Sequence, residues 1–152
     1  MQHHIHHHTQ PAQLEKYSFL WSEARLIIAA FALFLGGVPP LRYFLGGQMS
    51  YGFINLVLTL SWLISGVASA YMLYRWNENG RMLFGKKQSN DLYAFLVSVV
   101  SGLNLGLVAI LGRNIGMGIS SSYLVFVIVG VVYIISAMHL HRCWKENGGK
   151  IF

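Results

Sequence analysis

The chain has 152 residues, of which 55% are hydrophobic and only 11% are charged. Soluble domains average about 25% charged residues, so the composition excludes an ordinary soluble domain and is typical of a protein buried in a bilayer, where charges are costly. The net charge of +6 does not indicate nucleic-acid binding, because basic residues beside membrane helices are expected from topology and from anionic lipid headgroups.

Four apolar spans follow one another along the chain, and each approaches the ~20 residues that a helix needs to cross a bilayer. Helices are expected because hydrocarbon offers no water to unpaired backbone groups. In the first span, Gly36-Gly37 and Pro39-Pro40 predict a break after about Leu35, since proline removes a backbone donor. The spans run roughly over residues 26–45, 52–74, 92–111 and 121–140.

A short phrase occurs twice, each time just after an apolar run. Residues 76–80 read Trp-Asn-Glu-Asn-Gly and residues 144–148 read Trp-Lys-Glu-Asn-Gly, and each phrase is followed by a phenylalanine, Phe84 or Phe152. This repeat predicts an all-α integral membrane fold of four transmembrane helices, arranged as two hairpins in the same orientation. Such a parallel repeat has a pseudo-twofold axis along the membrane normal.

The spans and the repeat divide the chain into five parts. A polar, histidine-rich cytoplasmic segment comes first, and a first hairpin, a cytoplasmic loop, a second hairpin and a cytoplasmic tail follow it. The predicted bounds of these parts are residues 1–25, 26–74, 75–91, 92–141 and 142–152.

The basic residues predict the orientation. Nine of the 11 Lys and Arg residues fall on the side of the termini and the central loop, whereas Arg42 and Arg113 fall on the other side. By the positive-inside rule both termini are cytoplasmic, in a cell or inner membrane. The carboxylates are all expected at or beyond the cytoplasmic boundary, where they are solvated.

The first hairpin resembles a known family. Residues 34–67 contain a glycine pair, an Arg-aromatic-aromatic turn, a Leu-Gly, a later glycine and a tryptophan, and these features are similar to those of the TM2 domain. The resemblance implies a two-helix membrane hairpin without enzymatic activity, and a weaker second copy lies at about residues 104–140. The matching residues are Gly36, Gly37, Arg42, Tyr43, Phe44, Leu45, Gly46, Gly52 and Trp62.

Two sets of small or polar residues recur at a spacing of four. Ser61, Ser65 and Ser69 form a hydroxyl stripe, which either lines a polar path together with Arg42 and Arg113 or makes hydrogen bonds between helices. The third span carries a second stripe, which lets helix backbones approach closely either within the monomer or between subunits. This second stripe comprises Ala94, Ser98, Gly102 and Gly106, with Asn104 beside it and expected to face protein.

The repeated phrase has two interpretations. Tryptophan is typical of the headgroup boundary, and Asn-Gly can end a helix in a left-handed cap, after which Phe84 and Phe152 fold back. Alternatively, the two phrases are equivalent cytoplasmic hooks that dock a partner. The candidate docking residues are Trp76, Glu78, Gly80, Trp144, Glu146 and Gly148.

No catalytic, cofactor-binding or metal site is predicted. The histidines at positions 3, 4, 6, 7 and 8 are interpreted as a tag or as a metal-binding tail. His139 and His141 are two residues apart and therefore point in different directions on a helix. Cys143 is the single cysteine and rules out an internal disulfide framework.

Two functions remain open from the sequence. The first is a non-enzymatic structural or accessory subunit, packed in the bilayer with copies of itself or with other membrane proteins. The second is a small channel or facilitator with a serine-lined path. Because the apolar spans contain no Asp, Glu, Lys or His at mid-depth, ion-coupled transport is not predicted.

Overall fold

The computed structural model describes residues 11–152, with Pro11 described by its backbone alone, so the N-terminal histidines lie outside the described residues. Within residues 11–152 the chain is all-helical and forms no strand, which confirms the predicted all-α class. The helices are α1 (Pro11–Phe34), α2 (Pro40–Leu45), α3 (Tyr51–Glu78), α4 (Ser89–Leu111), α5 (Ile115–Ile119) and α6 (Tyr123–Glu146).

Four of these helices, α1, α3, α4 and α6, are long and apolar enough to cross a membrane. Their outward faces carry large apolar side chains with no protein cover, which marks a surface that needs an apolar surrounding such as lipid tails. Examples at more than half exposure are Phe31, Val67, Ile110, Leu124 and Met138.

Helix α1 begins well before the apolar span that the sequence indicated. It takes in residues 11–25, which sequence analysis had assigned to a polar N-terminal segment. Several polar side chains of this part face the bundle, and Ser18, Ser22 and Arg25 are all buried, whereas Lys16 is exposed. Hydropathy alone misses such a stretch, because it counts polar residues without regard to the partners they find.

The expectation that all carboxylates are solvated is wrong for two of them. Glu23 in α1 is 6% exposed and Asp91 in α4 is 2% exposed. Each has a histidine of α6 as its partner, His141 or His139. Interhelical pairing of this kind is what makes a buried carboxylate tolerable.

The four long helices form a bundle. Helix α1 packs most extensively against α6, and α3 against α4, while the α4–α6 and α1–α3 contacts are smaller and α1 also touches α4 across the bundle. Consecutive spans α1 and α3 therefore contact each other less than each contacts a helix from the other half of the chain. The bundle has a short-loop end, formed by residues 35–50 and 112–122, and a terminal end, formed by residues 79–88 and 147–152.

The predicted break within the first span is confirmed. Helix α1 ends at Phe34, and Gly36 and Gly37 follow with φ of 74° and 87°. Both values lie in the left-handed region, which glycine adopts without the steric cost that a Cβ brings. The chain thus turns at the glycine pair and enters α2 at Pro40.

Helices α3 and α4 approach each other at glycines. A Cβ built on Gly106 would lie 2.7 Å from the Cα of Gly66, and a Cβ built on Gly66 would lie 2.7 Å from the Cα of Gly106. Such distances are sterically forbidden, so only glycine at both positions permits this separation of the two backbones. Close approach at small residues is a recurrent basis of helix packing in membranes.

We expect Gly106→Ala to destabilise the bundle by about 1–3 kcal/mol, because the added methyl forces α3 and α4 apart. Thermal unfolding followed by circular dichroism in detergent measures the effect. Gly118→Ala is the matched control, since a Cβ at Gly118 would meet no atom within 4 Å. An unfolding midpoint for Gly106→Ala equal to that of Gly118→Ala would contradict the glycine contact.

Candidate functional site

A cavity of about 590 Å³ lies inside the bundle, between its middle and the short-loop end. Most of its wall is apolar, with side chains such as Ile28, Leu58, Val108 and Phe126. The polar groups of the wall come from all four long helices. They include Trp21 and Arg25 of α1, Ser61 and Ser65 of α3, Ser101 and Asn104 of α4, and Tyr133 of α6.

Arg25 is the charged group deepest in this wall. It is the fifteenth of the 24 residues of α1, which at 1.5 Å per residue places its Cα about 21 Å from one end of the helix and about 14 Å from the other. The residue is 5% exposed. A cation therefore lies near the middle of the first long helix, although the apolar pattern predicts that the first span begins only after it, at residue 26.

The guanidinium of Arg25 crosses to α4. Its Nη1 donates to Ser101 Oγ at 2.9 Å, and its Nη2 donates to the backbone oxygen and to Oγ of Ser98 at 2.7 and 3.3 Å. All three acceptors are neutral. Among residues 11–152 no ion pair includes Arg25, and its Nε–H is buried without an acceptor.

Gly102 makes room for this guanidinium. A Cβ on Gly102 would lie 3.0 Å from Cζ of Arg25, and it would also collide with Oγ of Ser69 on α3. Helix α4 thus presents a bare backbone at the level where the arginine crosses it. The same small residue that brings α3 close also creates the space that Arg25 occupies.

Hydroxyl and amide groups complete the polar part of the wall. Trp21 Nε1 donates to Ser65 Oγ at 3.0 Å, and Ser65 Oγ donates to the backbone oxygen of Ser61 at 2.6 Å. Nearer the short-loop end, Asn104 Nδ2 donates to Asn114 Oδ1 at 2.9 Å. Asn104 Oδ1 also accepts from the backbone N–H of Ile115, so the asparagine finds its partners within the protein, as predicted.

Only some of the side chains that were predicted to form a polar path lie together in the structure. Ser61, Ser65 and Arg42 line the cavity, and Arg42 donates to Asn55 at 2.6 Å. Ser69 is fully buried where α3 meets α4 and does not line the cavity, nor does the exposed Arg113. The serine stripe therefore ends at the level of Arg25 and does not run through the bundle.

The small residues of the second predicted stripe pack against helices of the same chain. All four of its members are buried against helices of the same chain, with Gly102 and Gly106 at α3. Of the two possibilities left open by the sequence, the contact within the monomer is the one observed. The stripe consists of Ala94, Ser98, Gly102 and Gly106.

Both copies of the repeated phrase end a helix in the predicted way. Asn79 and Asn147 are the C-caps of α3 and α6, and Gly80 and Gly148 both follow with φ of 65°. The backbone N–H groups of residues 81 and 149 donate to the carbonyls of residues 76 and 144, which is the bond of a Schellman cap. The structural interpretation of Asn-Gly is thus confirmed.

The two tryptophans of the phrase point into the terminal end. Trp76 packs on Phe95 and Trp144 on Phe19, each with ring centroids 5.8 Å apart. Phe84 packs edge-on against Phe19 at 6.2 Å, and Phe152 packs edge-on against Phe95 at 6.4 Å. These six aromatic side chains, the aromatic cluster, fill the terminal end of the bundle.

The other members of the candidate docking set face outward. Glu78 accepts hydrogen bonds from Tyr74 and Arg75, and Glu146 accepts one from Arg142 at 2.7 Å. Their side chains are 44% and 60% exposed. The tryptophans of the two phrases are therefore partly buried against the core, whereas the carboxylates lie at the surface.

Three titratable side chains that sequence analysis treated separately meet at the terminal end. His139 Nε2 lies 2.7 Å from Asp91 Oδ1, and Cys143 Sγ lies 3.6 Å from each of these two atoms. His141, two residues after His139, turns instead toward Glu23 of α1 at 2.9 Å. The two histidines thus point in different directions, as predicted.

Arg25, Trp21 and Tyr133 lie in one wall that the sequence pattern does not predict. A usable signal was present, because α1 carries small or apolar residues at a spacing of four, as α4 does. That spacing extends the helical pattern back through the polar stretch. The α1 positions are Ser18, Ser22, Leu26 and Ala30, all buried.

No protein-family model, curated protein or solved structure matches this chain. The similarity of residues 34–67 to the TM2 domain therefore stays a prediction. Any function has to be argued from the cavity and from the side chains around it.

We expect Phe84→Ala to cost about 3 kcal/mol of stability, because it empties a buried aromatic site in the aromatic cluster. Phe84 is 4% exposed, whereas Phe44 is 67% exposed, so Phe44→Ala is the matched control. Thermal unfolding in detergent measures both variants. Equal midpoints for the two would show that the aromatic cluster does not stabilise the bundle.

Proposed function

We propose that this chain is a non-enzymatic membrane protein that binds an organic anion in the cavity at the short-loop end, with Arg25 as the cationic anchor. The observation that carries the proposal is a buried guanidinium on the wall of a cavity of about 590 Å³, with no carboxylate partner among residues 11–152. An anion in the cavity would supply the missing partner.

The buried charge of Arg25 is energetically costly. Ionised groups taken out of water remain costly unless they are paired and hydrogen-bonded. Arg25 makes three hydrogen bonds, all to neutral oxygens, although a guanidinium has five N–H donors. Intramembrane charges of this kind mark functional sites more often than structural ones.

The cavity indicates the class of anion. Arginine pairs with carboxylate and phosphate groups through parallel N–H donors, and one buried cation balances one negative charge. The remaining wall is largely apolar, and the volume of about 590 Å³ is typical of sites for drug-sized ligands. A carboxylate with an apolar body therefore fits the cavity best.

The geometry supports a binding site confined to one part of the bundle better than a continuous pore. Beyond Arg25 the bundle is filled by Ser69 and by the aromatic cluster, and the serine stripe does not continue. Transport through this chain would accordingly need a second conformation. The accessory-subunit function stays a prediction, and its argument from the small residues of α4 is weakened because those residues are used within the chain.

The proposal includes the pseudo-twofold relation between the two halves. In support, Phe19 and Phe95 have equivalent surroundings, since each contacts the phenylalanine that follows the phrase of its own half and the tryptophan of the other half. Such an axis would relate α1 to α4 and α3 to α6. It would therefore also relate the two largest helix contacts, α1–α6 and α3–α4, to each other. The halves would then be interleaved and not side by side.

With cytoplasmic termini, the cavity would open toward the outer face of the membrane. We expect green fluorescent protein fused after Phe152 to fluoresce in a bacterial inner membrane, and alkaline phosphatase fused there to be inactive, because the basic loops stay inside. An active phosphatase fusion would reverse the orientation and place the cavity mouth on the cytoplasmic side.

We expect hexanoate to raise the unfolding temperature of the protein in nanodiscs, and Arg25→Met to abolish this effect. Hydrogen bonds to charged groups contribute about 1.5–3 kcal/mol, so the variant should lose at least about tenfold in affinity. Differential scanning calorimetry over a hexanoate titration measures the shift. Without ligand the variant should unfold at or above the wild-type temperature, because it lacks an unpaired buried charge.

Two controls separate specific binding from general effects. Arg113→Met removes an exposed arginine outside the cavity and should keep the hexanoate shift. The alcohol 1-hexanol has the same apolar body without the charge and should produce a smaller shift. Equal hexanoate shifts in the Arg25→Met variant and the wild type, or no shift in the wild type, would overturn the proposal.

A further inference from the structure

We propose that Asp91, His139 and Cys143 form a Zn²⁺ site that joins α4 to α6 at the terminal end of the bundle. The site is independent of the anion cavity, because none of these three residues lines that cavity. The three offer a carboxylate oxygen, an imidazole nitrogen and a sulfur, and these atoms lie within 4.8 Å of one another.

The distances between these atoms approach those of a tetrahedral zinc site. With Zn–S of about 2.3 Å and Zn–N and Zn–O of about 2.1 Å, tetrahedral geometry places sulfur about 3.6 Å from nitrogen and from oxygen, and nitrogen about 3.4 Å from oxygen. Both distances from Cys143 Sγ are 3.6 Å. The third, from His139 Nε2 to Asp91 Oδ1, is a hydrogen bond of 2.7 Å. A bound ion would replace that bond and increase the distance between the two atoms by less than about 1 Å.

The helices hold the three side chains where a metal needs them. His139 and Cys143 are four residues apart on α6 and therefore share one face of that helix. Asp91 lies in the first turn of α4, and the α4–α6 contact brings it opposite that face. Three protein ligands leave a fourth position for water, and the half-exposed His139 and Cys143 give access to it.

Charge supports the same assignment. Asp91 is 2% exposed, and a buried carboxylate is costly without a cation. A Zn²⁺ ion with one carboxylate, one thiolate and one neutral imidazole forms a set with no net charge. The proton of the Cys143 thiol is released on binding, so the ion balances two negative ligands.

The corresponding place in the first half of the chain uses different chemistry. There α1 and α3 are joined by an ion pair between Glu15 and Arg75 at 2.6 Å. In the second half Arg142 turns to the surface and pairs with Glu146, so it does not reach Asp91. In the second half Asp91 therefore faces His139 and Cys143, which can bind a metal, whereas in the first half Glu15 faces the basic side chain of Arg75.

Cobalt titration of the full-length, reduced, metal-free protein tests this site, with Co²⁺ as a spectroscopic substitute for Zn²⁺. Thiolate coordination to Co²⁺ produces a sulfur-to-metal charge-transfer band. Since Cys143 is the only cysteine, this band reports on the proposed site even if the N-terminal histidines bind metal as well. We expect the band to saturate at one Co²⁺ per chain and to disappear when Zn²⁺ is added.

Variants separate the proposed ligands from their neighbours. Cys143→Ser should abolish the band, and His139→Ala and Asp91→Asn should each weaken Co²⁺ binding by more than about tenfold, since even outer-shell partners change metal affinity by about 10–100-fold. His141→Ala is the matched control, because His141 faces Glu23, and it should leave the band unchanged. Circular dichroism verifies that each variant retains its helices.

Two outcomes would overturn the zinc site. Absence of a charge-transfer band in the reduced wild-type protein at excess Co²⁺ would show that the three side chains form only a hydrogen-bonded cluster. An unchanged band in both His139→Ala and Asp91→Asn would show that Cys143 binds cobalt without them.

Discussion

The close approach of α3 and α4 at glycines is the constraint on which the rest of this structure depends. At Gly66 and Gly106 the two backbones meet at a distance that any Cβ would forbid. One turn away, Gly102 leaves the gap that the guanidinium of Arg25 fills. Without small residues along this line, α4 would stand further from α3, and Arg25 could not reach Ser98 and Ser101 across the bundle. Packing in this molecule therefore determines where its deepest charge lies.

The bundle also has two chemically different ends. Toward the short-loop end its interior is hollow and lined by hydroxyl, amide and apolar groups, with Trp21 and Arg25 near its inner limit. Toward the terminal end, aromatic side chains fill the interior, and polar contacts there join neighbouring helices in pairs. A membrane protein gains little from hydrophobic association between helices, because lipid tails are as apolar as its own side chains. Dense aromatic packing and interhelical polar bonds at one end can hold the bundle together while the other end stays hollow.

Charged residues in this chain are few, and three of the five carboxylates pair with a basic side chain across a helix boundary. Glu15 bonds to Arg75, Asp91 to His139 and Glu23 to His141, so every long helix takes part in at least one pair. Arg25 departs from this pattern, since its partners are all neutral. That departure is the reason that we propose an anion site at Arg25. The Asp91 pair differs in another way, because a thiol lies close enough to complete a set of metal ligands.

The sequence by itself determined the class, the number of long helices, the break at Gly36-Gly37 and the capping role of Asn-Gly, because these depend on local composition and backbone preference. The spacing of small residues also indicated the two stripes, but it did not determine which helices those residues contact. Only the tertiary structure decided that α1 extends back to Pro11, that Arg25 faces α4, and that Asp91 meets His139 and Cys143. Hydropathy treats a polar residue as a cost, whereas its real effect depends on a partner many positions away in the chain. For Arg25 and Ser101 that separation is 76 residues, and no local pattern specifies which face of one helix meets which face of another.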